Sequence, residues 1–148
     1  MQEYPHHYVA AAAGGATGNV RISSPGLEDI ESAGPAEFGG PGDRWSPETL
    51  LVGAVADCFI LHFRAVTRAA KLDWDELECR VVGDLDRIDR VTRFTHFDIR
   101  VILDVPQGTN EERARKLLEK SEDSCLVTNS LTAECSFALE VRVAETAD

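Results

Sequence analysis

The sequence predicts an α+β fold in one domain, residues 1–148. Three observations carry that prediction. Strand-like alternation and helix-like periodicity occur in groups, not in the strict alternation of parallel α/β folds. Helix-start signals at Ser46 and at Thr109-Asn110 are separated by two long alternating runs. The apolar fraction of 43% is ordinary for a globular chain, and a chain of this length buries roughly 68–70% of the surface it exposes when unfolded.

Each element has a local reason. From Tyr8 to Ser24 a short apolar run, the turn cluster Gly14-Gly15-Ala16-Thr17-Gly18-Asn19, and Val20 and Ile22 among polar neighbours read as a β-hairpin. Pro25 to Asp43 reads as a short edge strand around Leu27 and Ile30, then a loop through Phe38-Gly39-Gly40-Pro41-Gly42-Asp43. Ser46 is placed as an N-cap, with Pro47 at the first helical position and Glu48 in the first turn. Trp45 is expected to staple onto Leu50. The interior of this helix, Leu50 to Phe63, is apolar almost all round, and Arg64, Arg68 and Lys71 fall in its last turns, as the helix dipole favours. It is expected to be the central, mostly buried helix.

Leu77 to Asp89 and Arg93 to Val105 alternate with a period of two and form a predicted hairpin turning near Asp89 to Thr92. A second helix is capped by Thr109 or Asn110, opens with Glu111 and Glu112, and buries Ala114, Leu117, Leu118 and Ser121. The same four-residue step reaches Cys125, whose thiol is therefore expected to face the core from that helix. Leu131 to Val143 reads as a last strand, with a bulge expected before Leu139, Val141 and Val143.

Charge and composition narrow the functions. Lys and Arg number 15 against 26 Asp and Glu, a net charge of −11, which repels phosphates and anionic lipids. No nucleic-acid or membrane partner is expected. The longest apolar stretch, Thr49 to Phe63, carries Asp57 and His62 and is shorter than the 18 or more residues expected of a membrane span. The start, Met1 to His7, has no basic-then-apolar pattern of a secretory signal, so a cytoplasmic location with reduced cysteines is expected. The four cysteines at 58, 79, 125 and 135 contain no C-x-x-C pair, and neither structural zinc nor another cofactor is expected.

Cys58, amid Ala54, Val55, Phe59, Leu61 and His62, admits two readings: a small packing residue, or a reactive thiol. Its mid-helix position denies it the N-terminal dipole and burial raises its pKa, so reactivity calls for a nearby cation. Cys125 approaching the same core favours the reactive reading, because two helix thiols near one core can meet. His62, four residues on, shares the helix face of Cys58 and is either half of a thiolate–imidazolium pair or a core or interface histidine. His96 is read as cross-strand packing, and His6-His7 receives no role.

The segment Ser46-Pro47-Glu48-Thr49-Leu50-Leu51-Val52-Gly53-Ala54-Val55-Ala56-Asp57-Cys58-Phe59 resembles the first-cysteine helix of the OsmC/Ohr family, osmotically inducible protein C and organic hydroperoxide resistance protein. Cys125-Leu126-Val127-Thr128-Asn129-Ser130-Leu131 is similar to its second-cysteine segment. The resemblance implies an intertwined homodimer with antiparallel sheets packed around the long helix. It implies a thiol peroxidase for organic hydroperoxides, with Cys58 peroxidatic, Cys125 resolving, Glu48 as acidic partner, and a lipoyl-type dithiol as reductant. The family also uses an arginine against the thiolate. Where one subgroup carries it this chain has Ala16, and where the other does it has Glu37 and Phe38.

Arg44, just before the helix, and Arg21, on the second strand, are the candidates to replace that arginine; the alternative for Arg44 is a surface pair with Glu48. Leu126 stands where many members have Pro. The missing arginine motivates a second expectation, a binding module holding a small hydrophobic ligand at the dimer interface, and a third is a purely structural thiol pair. Glu48 and Cys58, ten residues apart, lie about 15 Å from each other along a continuous helix. If both act at one site, they are expected to come from opposite protomers.

Overall fold

The structure, a computed structural model, describes residues 1–145 and divides into two compact units, Met1–Leu51 and a second beginning at Val52. The first is an antiparallel sheet in the order β1-β2-β3, from Ala11–Ala13, Val20–Ser23 and Ile30–Ser32. Ala12 faces Ile22, which faces Ile30. A 3-10 turn, Ala36–Phe38, follows. Beside it a Cβ on Gly40 would lie 2.0 Å from the Gly34 carbonyl oxygen, so only glycine permits this backbone crossing.

The helix α1 runs from Pro47 to Ala70. Its cap is reciprocal: the Thr49 N–H donates to Ser46 Oγ at 3.2 Å and the Ser46 N–H donates to Thr49 Oγ1 at 2.8 Å. Threonine here serves the role glutamate or glutamine plays in a capping box. The expected Trp45 staple is not what forms. The Trp45 ring is more than half exposed, and its backbone instead bridges to Ser32 and accepts from the Ala33 N–H at 3.0 Å. Lys71, at φ 56°, closes the helix in the left-handed region, and the Leu72 N–H turns back to the Thr67 carbonyl.

The second unit is built on a sheet ordered β4-β5-β6, from Glu76–Ile88, Val91–Val105 and Glu134–Val143. β4 and β5 form the expected hairpin. Asp89 and Arg90, both at positive φ, turn it in the sense that matches strand twist. β6, however, runs parallel to β5, so this sheet is mixed and not antiparallel as expected. Parallel pairing requires a crossover, supplied by α2, Glu111–Glu122, and the one-turn helix α3, Leu126–Asn129. Asn110 caps α2, its side chain accepting from the Arg113 N–H at 3.1 Å.

The expected bulge in β6 is absent among the described residues: its ten residues pair with β5 without interruption, because the inward positions from Cys135 to Val143 never change phase. The irregularity lies between Asp84 and Leu85, where Thr95 of β5 has no opposite residue. Phe97, Ile99, Val101 and Leu103 of the central strand form the floor of the core. Val55, Phe59 and Phe63 of α1 and Ala114 and Leu118 of α2 cover it.

The α1 helix is less buried than expected. Val55, Phe59, Phe63 and Thr67, one residue per turn, are its buried stripe, whereas Leu61 is 52% exposed. A helix lying on one sheet buries one face, however apolar the other is. The helix is also long and apolar enough to cross a membrane by length and composition, with mean hydropathy 1.6 over an 18-residue window, which the shorter Thr49–Phe63 stretch did not reveal. The stripe packed on the sheet is that of a core helix.

Candidate active site

Cys58 lies at the middle of α1, one residue before the buried Phe59, so the turn that anchors the helix to the sheet also fixes this sulfur. Cys125 is 2% exposed. Cys125 lies close enough to Cys58 to raise the titration of that thiol. Cys125 is not on α2 as expected. That helix ends at Glu122 with Asp123 as its C-cap, and Cys125 is the extended residue that precedes α3. The four-residue step nevertheless gave its burial correctly, because Ser121 and Cys125 both point inward. The Cys125 carbonyl accepts from the Asn129 N–H at 3.0 Å and Thr128 Oγ1 at 3.1 Å, which holds the residue in place.

All four cysteines are free thiols. Burial is the largest influence on Cys58 and pushes its thiol above the ordinary value of 9.0; the Val127 backbone N–H opposes this, the neighbouring Cys125 adds to it, and the Leu126 N–H opposes it again. A proline at 126 would have no N–H to offer. Burial pushes Cys79 up to about 12 and also raises Cys135, each with a smaller contribution from Cys125. These two sit on inward strand positions, partly buried against the core, where a raised thiol is a poor nucleophile.

Beside Cys58 opens a pocket of about 430 Å³. Ala54, Leu61, Ala65, Leu126 and Val127 form its apolar walls. Asp57, His62 and Ser124 supply polar atoms, and the helix repeat puts His62 one turn beyond Cys58. His62 Nε2 is sealed from solvent and has no hydrogen-bond partner. Sequence reasoning had not found the Leu126 and Val127 amides or Ser124, because main-chain donors leave no residue-type signal. Leu126 in place of proline was the one available hint.

The remaining candidates lie elsewhere. Arg44 pairs with Glu31 at 3.7 Å and not with Glu48, and Arg21 pairs with Asp29 at 3.7 Å; all four are substantially exposed. The Arg44–Glu48 surface pair is thus replaced by one to β3, where Glu31 sits beside the Ser32–Trp45 bridge. Glu48 Oε2 is buried without a hydrogen-bond partner. His96 bonds Ser136 Oγ at 2.9 Å across β5 and β6, and Ser136 donates to Asp98 at 3.3 Å, a cross-strand role as expected. Among the described residues no three His, Cys, Asp or Glu side chains gather as a metal would require.

An α+β fold with a long helix thiol meeting a second thiol from a crossover defines a class, and comparison with known proteins identifies it. Residues 40–140 match the family model for OsmC-like proteins, and the chain belongs to that family. It is 25% identical over 112 residues to YmaD, an uncharacterized protein of Bacillus subtilis strain 168, covering 74% of this chain and 75% of that one. An OsmC-like protein of unknown function from Vibrio cholerae superposes with a TM-score of 0.82 at 15% identity, covering 91% and 99% of the two chains. A Legionella pneumophila protein described as organic hydroperoxide resistance protein OsmC is 26% identical, with a TM-score of 0.67 and coverage of 94% and 98%.

Proposed function

We propose that this OsmC-family protein is a thiol-dependent peroxidase that reduces organic hydroperoxides. The Cys58 thiolate attacks the outer oxygen of the peroxide, giving an alcohol and a Cys58 sulfenic acid. Cys125 then condenses with the sulfenic acid to a disulfide, releasing water, and a dithiol of lipoyl type restores both thiols. The observation that carries this reading is the Cys58–Cys125 contact at the wall of an apolar pocket. Apolar walls favour an alkyl peroxide over hydrogen peroxide. The organic hydroperoxide resistance description of the Legionella relative supports the substrate class.

The uncovered apolar face of α1, including Leu61, supports a homodimer in which a second chain covers it. In that dimer Glu48 of one protomer serves Cys58 of the other, since ten residues of helix separate them within a chain. This chemistry suits a cytoplasmic location, where thiols are kept reduced. The test is to mix reduced protein with cumene hydroperoxide and follow thiols by peptide mass spectrometry. Loss of Cys58 and Cys125 together, with Cys79 and Cys135 retained, is the expected result. Four intact thiols after exposure to excess peroxide refute the proposal.

A second reading has its own observation. Burial raises the Cys58 thiol, and both candidate arginines are engaged with Asp29 and Glu31. Such a protein would hold a small hydrophobic ligand in the pocket without turnover. Alkylation of Cys58 across pH separates the two, because a binding module keeps its thiol protonated at neutral pH even when peroxide is bound.

A further inference from the structure

His62 is the group that the thiol chemistry described so far leaves unused. It lines the same pocket as Cys58, one helical turn away, and its Nε2 is buried with no hydrogen-bond partner. A buried imidazole nitrogen without a partner is costly unless something bound there completes it. Hydrogen bonds at catalytic groups often close only once substrate is present. Asp57 and Ser124, the polar residues that share the pocket, do not bond Nε2, and the rest of the wall is mostly apolar, so a bound molecule can bring the matching polar atom.

We infer that His62 is a catalytic acid–base residue that moves the proton from the Cys58 thiol to the departing alcohol. The inference rests on the peroxidase reading and deepens it. Nε2 in its neutral form accepts the thiol proton as the peroxide binds. The sulfur lone pair then forms the S–O bond to the outer oxygen while the O–O bond breaks, and its electron pair leaves on the alkoxide. The imidazolium returns the proton to that alkoxide. Thiol and hydroperoxide become sulfenic acid and alcohol, sulfur is oxidised by two electrons, the peroxide is reduced by two, and His62 ends neutral. In this chain, a helix histidine thus assumes work that needs no arginine. The Leu126 and Val127 amides hold the sulfur's negative charge, and His62 handles the proton.

The experiment compares oxidants that differ in their leaving group. Cumene hydroperoxide expels an alkoxide that must be protonated, whereas a peroxy acid expels a carboxylate that need not be. In His62→Gln, oxidation of Cys58 by cumene hydroperoxide should slow about 100-fold or more, the range of general acid–base catalysis. Oxidation by the peroxy acid should slow less, because it loses only the help in removing the thiol proton and not the protonation of the leaving group. Alkylation by iodoacetamide at high pH, where iodide leaves without a proton, should match the wild type and shows that the pocket is intact. Equal losses with both oxidants, or no loss with either, overturn the inference while leaving the peroxidase reading standing. A wild-type protein inert to both oxidants overturns the two together. If the variant fails to fold, the wild type alone decides: a shallow dependence of rate on leaving-alcohol acidity supports an internal acid, and a steep one overturns it.

Discussion

Replacing Leu126 by proline removes one backbone N–H from the neighbourhood of Cys58 and changes little else. Leu126 is the first residue of α3, a position where proline is tolerated and where the N–H has no helical partner. Cys125 before it already has the extended conformation, φ −70° and ψ 112°, that a following proline demands. The leucine side chain is 70% exposed, so its loss costs little burial. An N–H bonded to a charged group contributes about 1.5–3 kcal/mol. Leu126 is the weaker of the two amides acting on a half-buried sulfur, which places its contribution at the low end, about 1.5 kcal/mol. That corresponds to roughly a tenfold smaller thiolate population below the thiol's titration. The assay is iodoacetamide labelling of Cys58 as a function of pH, read by peptide mass spectrometry. Leu126→Pro should slow labelling about tenfold near neutrality, and the rates should converge once pH exceeds both titrations. An unchanged profile, or faster labelling near neutrality, would refute the claim that this amide supports the thiolate.

Phe59→Ala deletes a core ring that sits 6.2 Å from Phe137, and should lower stability by about 3–5 kcal/mol in a denaturant titration; a loss under 1 kcal/mol would mean that the helix does not anchor there. The Arg142 guanidinium hydrogen-bonded to Asp104, at 2.7 and 3.0 Å, holds that carboxyl below its ordinary value of 3.8. A depressed carboxyl stabilises the fold above its unfolded titration and loses that contribution as pH falls through the folded one. The stability gap between wild type and Asp104→Asn should therefore be present at neutral pH and close below pH 3.8, and a gap that persists in acid contradicts the assignment. Mixed dimers of a Glu48→Ala chain with a Cys58→Ser chain should retain about half of wild-type peroxidase turnover if one composite site survives; complete loss places both groups within one chain.

Much of this molecule was legible in its sequence, for reasons particular residues make plain. Ser46-Pro47-Glu48 and Asn110-Glu111-Glu112 are local signals, and the helices begin where they stand. The alternation from Phe97 to Val105 is period two because one face of β5 is buried, and it needs no knowledge of neighbours. What failed was non-local. Nothing in Glu134 to Val143 says that this strand pairs parallel to β5, since an inward alternation serves either direction. The partner of Arg44 was missed because Glu31 is distant in sequence and Glu48 near. The exposure of Leu61 was missed because an apolar helix face reads the same in sequence whether or not the sheet covers it. At the site, residue types predicted that Cys58 and Cys125 meet, whereas the amide donors and the orphaned Nε2 of His62 are properties of the folded backbone.

The crossover that makes β6 parallel also sets the order in which the thiol pair becomes available. Cys58 emerges from the ribosome with α1, but β4, β5 and α2 all separate it from Cys125. At roughly 5–20 residues per second, several seconds pass in which a nascent chain carries the first thiol without the second. On the peroxidase reading, a sulfenic acid formed in that interval has no partner to condense with and is open to further, irreversible oxidation. The Leu126 and Val127 amides, which oppose the rise of the Cys58 titration, are likewise absent then. On that reading, peroxide met during synthesis and peroxide met afterwards are different hazards for this chain, and its newest copies are the ones least equipped to survive it.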